Sequence, residues 1–215
     1  MRIACVSALL VATGLSVVHA QSTSPYAYRL GAVTVVVPPP RGFDDAFKIP
    51  EMRDRLPSTD TVEVLAAHLP ADVVRSFKPG QDLDFYTRVF VLRAAKEQDM
   101  SADLIAEFAQ RAKSGDVPDQ RARLAEIEKQ TGVAISQPLN LGVFDQTPTS
   151  FSAMQLTTVK AESGSANVLF SATSIVARRR FVVIQAMRRF NTTADKTALE
   201  DFTRTWVRAI IAANP

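Results

Sequence analysis

Cysteine is almost absent from this chain of 215 residues: the single one, Cys5, lies among the first ten. Histidine is nearly as scarce, with His19 and His68 only, and the 8 glycines are scattered. Each shortage closes a branch of chemistry. With no cysteine past position 5, the body of the chain has no disulfide scaffold, no thiolate nucleophile and no cysteine-ligated metal. Zinc draws several His or Cys ligands, which one histidine beyond residue 20 cannot supply. Neither G-x-G-x-x-G nor G-x-x-x-x-G-K occurs, so the usual phosphate cradles are missing. Neither G-x-S-x-G nor Ser-x-x-Lys marks an activated serine.

What is present begins with an apolar run. After Met1 and Arg2, the stretch from Ile3 to Val18 carries no charge and leads into His19-Ala20-Gln21. A basic start, an apolar run and small residues before a cut form a secretory signal, which predicts cleavage after Ala20. A membrane anchor needs roughly 20 apolar residues. This run is shorter and includes Ser7, Thr13, Gly14 and Ser16. Gln21 at the cut excludes a lipidated cysteine, and no Arg-Arg pair precedes the run. The signal is therefore of the type that threads unfolded chains, and no cofactor is expected. The expected product is a single domain over residues 21–215, periplasmic or secreted, with no stable membrane span after cleavage.

Arg2 leaves with the signal, and the remaining 24 basic side chains face 22 acidic ones. That balance gives no basic face for nucleic acid. It gives none for an anionic membrane surface either.

The pattern along the chain is mixed. A β-branched strand from Ala32 to Val37 runs into Pro38, Pro39 and Pro40, which cannot donate to a ladder. A long loop is expected from there to Thr61, pinned by Phe43 and Phe47. Strands follow at Thr61–Leu69 and Asp84–Ala94, separated by a short helical turn from Pro70 to Phe77. Ser101 caps a helix carrying Leu104, Ile105, Phe108 and Ala109, which ends near Ser114-Gly115. A second, polar helix is expected from Pro118 to Gly132. Four successive antiparallel strands are read at Leu141–Phe144, Phe151–Val159, Val168–Val176 and Phe181–Phe190. The last is apolar on both faces at its centre, which places it inside a sheet covered on two sides. A final helix, capped near Thr193, presents Leu199, Phe202, Trp206 and Ile210 in one stripe that should dock on the sheet.

Candidate sites are few. His68 is the one residue of the exported body that titrates near neutrality, but it falls in an apolar stretch. Asp82 with Asp84, and Asp99 with Asp103, do not fit a calcium loop. They mark a strand start and a helix start, and no metal site is expected. Two features remain for partner binding: Arg178-Arg179-Arg180 at a hairpin turn, echoed by Arg188-Arg189, and the Pro-rich loop with Arg41 and Phe43. Arginine forks hold carboxylates and phosphates well.

The segment Val37-Pro38-Pro39-Pro40-Arg41-Gly42-Phe43, the C-terminal hairpin and the last helix with Trp206 together resemble the PsbP-like fold. That fold is shared by a Ran-binding nuclear import factor and by exported bacterial proteins. The resemblance implies an α+β architecture, an antiparallel sheet sandwiched between helices, and a binding or assembly role without catalysis. The expectation is thus an exported, non-enzymatic accessory protein meeting an extracytoplasmic protein. The alternatives are a hydrolase using carboxylates or His68, and a small-ligand carrier.

Overall fold

The computed structural model describes residues 26–114, 134–136, 138–161 and 164–215. The signal-like run and the helix expected over 118–132 lie outside the described residues. Along the chain the strands are β1 (Ala27–Leu30), β2 (Val33–Val36), β3 (Phe43–Asp45), β4 (Val62–Pro70) and β5 (Phe85–Leu92), then β6 (Ala134–Ile135), β7 (Leu139–Thr147), β8 (Ser150–Ala161), β9 (Gly164–Ala177) and β10 (Arg180–Arg189). The helices are α1 (Pro50–Arg55), α2 (Ala71–Ser76), α3 (Asp103–Ser114) and α4 (Thr193–Ala212). None of the helices among the described residues is long and apolar enough to cross a membrane.

β1 and β2 form a separate hairpin; the other eight strands make one antiparallel sheet ordered β3-β4-β5-β10-β9-β8, with β6 and β7 both on the outer edge of β8. β10 therefore sits in the middle, as its two-faced apolar sequence requires. Its residues divide by alternation. Val182, Ile184 and Ala186 face one way, and Ile184 lies opposite Val89 of β5, itself opposite Ala66 of β4. Over this face α4 lays Trp206, Val207 and Ile210, joined by Leu30, Val35 and Val37 from the β1–β2 region. Each such side chain taken from water contributes about 1.5–3 kcal/mol. The opposite face, which includes Ala67 and Leu69, is covered at one end by Met52 of α1 and by α2. At the other end Ile105 and Phe108 of α3 pack on Val176 and Phe181. The result is the expected α+β sandwich, helix layers on both sides of an antiparallel sheet.

The stripe on α4 also carries polar work. Thr203 is buried and its hydroxyl meets that of Ser171 at 2.8 Å, while Ser152 meets Thr173 at 2.8 Å. Beyond the helix, the Asn214 amide accepts from Val36 N–H at 2.9 Å and donates to the Val36 carbonyl at 2.6 Å. A side chain thus completes the ladder edge of β2.

Three expectations are corrected. The stretch from Pro38 to Thr61 is not a plain loop, because β3 pairs with β4, Asp45 caps a short 3-10 helix at Ala46–Lys48, and α1 follows. These pieces are too short to build a period, so sequence pattern passes over them. A strand at Ala27–Leu30 precedes the first one expected, turned by Gly31 at φ 62°. The cap of α4 is Thr192 rather than Thr193: Asp195 accepts from Thr192 N–H at 2.9 Å, closing a capping box.

Candidate functional site

In the β9–β10 hairpin Ala177 pairs with Arg180, leaving Arg178 and Arg179 as a two-residue turn. Both have positive φ, 48° and 66°. A two-residue turn with both centres left-handed matches the twist of the strands, and sequences such as Asn-Gly usually fill it. A side chain with a Cβ costs roughly 1–2 kcal/mol in that conformation, and here it is met twice in succession. Such strain persists only where the surrounding structure holds it, and it clusters at functional sites.

The three arginines part company. Arg180 is only 5% exposed; its Nε donates to the Leu30 carbonyl at 3.0 Å and its guanidinium pairs with Asp99. Arg180 therefore anchors the β1–β2 hairpin to the main sheet and offers no surface to a partner, which corrects the expectation. Arg179 is 74% exposed and pairs with the other oxygen of Asp99 at 2.5 Å. Arg178 is exposed and donates to the Thr34 carbonyl at 3.3 Å. The Asp99 carboxyl is held below the usual carboxylate range, first by its hydrogen bond from Arg180, then by the charges of Arg179 and Arg180. Backbone contact reinforces this junction, since Met100 N–H donates to the Arg179 carbonyl at 2.9 Å.

Beside the turn lies a cleft of about 500 Å³. Its apolar lining includes Met100, Val176 and Ile211, and Arg178 and Arg179 stand at its edge with Asp99. Two arginines and an aspartate thus border an apolar depression. The loop 99–102 closes one side of it on the way into α3, and the end of α4 closes another.

The second pair of arginines is differently placed. Arg188 bonds Asp195 at 3.0 Å and lies over the Phe85 ring, 5.6 Å from its centre. Arg189 pairs with Asp84 at 3.0 Å and with Asp82 at 3.7 Å. Arg188, Arg189, Asp82 and Asp84, with Tyr86 and Asn167, border another cleft of about 560 Å³ at the far end of the sheet. There Arg188 is matched by Asp195 and Arg189 by two acids, so no cationic surplus arises. Asp82 and Asp84 serve as partners of Arg189. Among the described residues, no group of three or more His, Cys, Asp or Glu is placed to hold a metal.

Phe43 is also reassigned. Its ring packs against Phe85 at 5.0 Å and Phe202 at 5.1 Å. Phe85 lies opposite Arg188, at the other end of β10 from Arg180. Phe43 is therefore a half-buried pin of β3 on the Phe85–Phe202 pair, remote from the arginine turn. Arg41 is exposed and, among the described residues, makes no ion pair.

His68 is 1% exposed, with Nδ1 3.2 Å from the Thr87 hydroxyl and its ring edge-on to Trp206 at 5.8 Å. Burial pushes its pKa down to about 4. It lines neither cleft and is a neutral member of the core.

No protein-family model matches this chain, and no curated protein matches it significantly. Solved structures that resemble it include the Ran-binding protein Mog1p of Saccharomyces cerevisiae, with 15% identity and a TM-score of 0.39 over 84% of this chain and 87% of that one. A mutant of the protein Mog1 gives 15% identity and a TM-score of 0.37 over 87% of this chain and 92% of that one.

Proposed function

We propose that this is an exported, non-catalytic accessory protein of PsbP-like fold that docks a partner protein at the turn between β9 and β10. One observation carries the docking role: two consecutive arginines are kept in a left-handed turn beside an apolar cleft, where Asn-Gly would relieve the strain. Of the other sequence candidate, Phe43 packs on the body, as do Met52 and Leu56 of the 38–60 stretch, and Arg41 is exposed but stands away from both clefts. A hydrolase built on His68 draws no support, since that imidazole is enclosed beneath α4. Export is supported by the basic start and apolar run before Ala20.

A photo-crosslinking residue at Ser101, on the cleft's edge, tests the docking role in an extract of the exported fraction. The expected result is one discrete adduct that disappears when Arg178 and Arg179 are both changed to Glu. The same crosslinker at Lys48, on the α1 side, should give none. Only monomer, or an adduct indifferent to charge reversal, would overturn the proposal. Mass spectrometry of the purified protein tests export: an N-terminus at Gln21 agrees with it, and an intact Met1 contradicts it.

A further inference from the structure

We infer that the cleft beside the arginine turn takes an extended protein segment in which an aspartate or glutamate adjoins an apolar residue, with Asp99 competing from within for Arg179. This rests on the docking role proposed above and specifies its chemistry.

Charge selects this end of the molecule. Arg179 and Arg180 share the side-chain carboxylate of Asp99, while Arg178 donates to the Thr34 backbone carbonyl and, among the described residues, pairs with no acidic side chain. At the other end Asp82 and Asp84 already match Arg189. A planar guanidinium binds a carboxylate through two parallel N–H bonds, so the surplus at the turn fits an incoming acid. The apolar lining residues Met100, Val176 and Ile211 fit the apolar neighbour of that acid.

The two bonds of Asp99 are unequal, and this makes exchange feasible. Arg180 is enclosed, and a buried charge left without its partner is strongly unfavourable. Arg179 is largely exposed, and a pair of that kind is weak in water. An arriving carboxylate can therefore take Arg179 together with Arg178 while Asp99 stays on Arg180. Until it arrives, Asp99 mimics it.

The probe is the acetylated, amidated peptide Leu-Asp-Leu-Asp-Leu, compared with Leu-Asn-Leu-Asn-Leu by titration calorimetry on the whole protein. The Asp peptide should bind about tenfold tighter. The difference should vanish when Arg178 and Arg179 are both changed to Gln. Asp99→Asn keeps an oxygen for Arg180 but removes the competing charge, and it should tighten the Asp peptide about threefold. Equal affinity for both peptides, a preference surviving in the double variant, or a folded Asp99→Asn that binds no tighter would overturn the inference. Should Asp99→Asn not fold, nitrogen-15 spectra of the wild type decide. On adding the Asp peptide, the Arg179 Nε–H signal should move and that of Arg180 should not; an unmoved Arg179 overturns the inference. If the peptides fail while the adduct at position 101 still depends on Arg178 and Arg179, only the carboxylate chemistry falls. If both fail, the docking role falls too.

Discussion

The indole of Trp206 donates from Nε1 to the carbonyl of Pro38 at 2.8 Å, joining α4 to the first residue of the three-proline run. Prolines have no N–H, so carbonyls are all their backbone offers, and a buried indole needs such an acceptor. The bond helps to seat the end of the β1–β2 hairpin over the sheet face that α4 covers. Trp206→Phe removes the donor and part of the ring volume together. It should cost about 2–4 kcal/mol in urea unfolding. A loss below about 0.5 kcal/mol would contradict this packing role.

His68 sets an acid limit on stability. Its folded pKa of about 4 lies below the ordinary 6.5, mainly through burial, with Asp45 and then Asp44 opposing. Between those values the unfolded chain binds a proton that the folded one refuses. The contribution of neutral His68 is thus whole above pH 6.5 and is lost as pH falls toward 4, by about 3 kcal/mol. Asp99 and Asp195 also have depressed values, but their contributions are lost only as pH falls from the ordinary carboxylate range downward. The two windows are separate. His68→Gln, which can still bond Thr87, should flatten the dependence of the urea midpoint on pH between 6.5 and 4; an unchanged slope would contradict the assignment.

The capping box of α4 should show in stability alone. Thr192→Ala removes the hydroxyl that caps the helix and should cost about 1 kcal/mol. Thermal unfolding should register it, while the adduct formed from Ser101 stays as in wild type. A variant with unchanged stability would place the cap elsewhere.

Much of this fold is legible in the sequence where burial is periodic. The centre of β10 is apolar on both faces because neighbours and helices surround it, and α4 announces itself by one long stripe. What escapes is short or non-local. Three residues in β3 and six in α1 cannot establish a period, and Asp45 starts a 3-10 helix by one side-chain bond. The arginine triplet shows the same limit. Its position at a turn follows from the strands around it, but the roles of its members do not. Arg180 is buried because Leu30 and Asp99 come to it from sequence separations of 150 and 81 residues, and no local signal distinguishes it from Arg179. Phe43 is legible as a pin, yet its partners Phe85 and Phe202 come from elements far along the chain.

The proposed trade of stability for binding at the β9–β10 turn is checked by the double variant Arg178→Asn with Arg179→Gly. Asn-Gly suits two left-handed positions, and the exposed pair it removes is weak, so the unfolding free energy should rise by about 1–2 kcal/mol. The same protein should lose the adduct at position 101. A variant that gains stability and keeps the adduct would show that the arginines are not held there for binding.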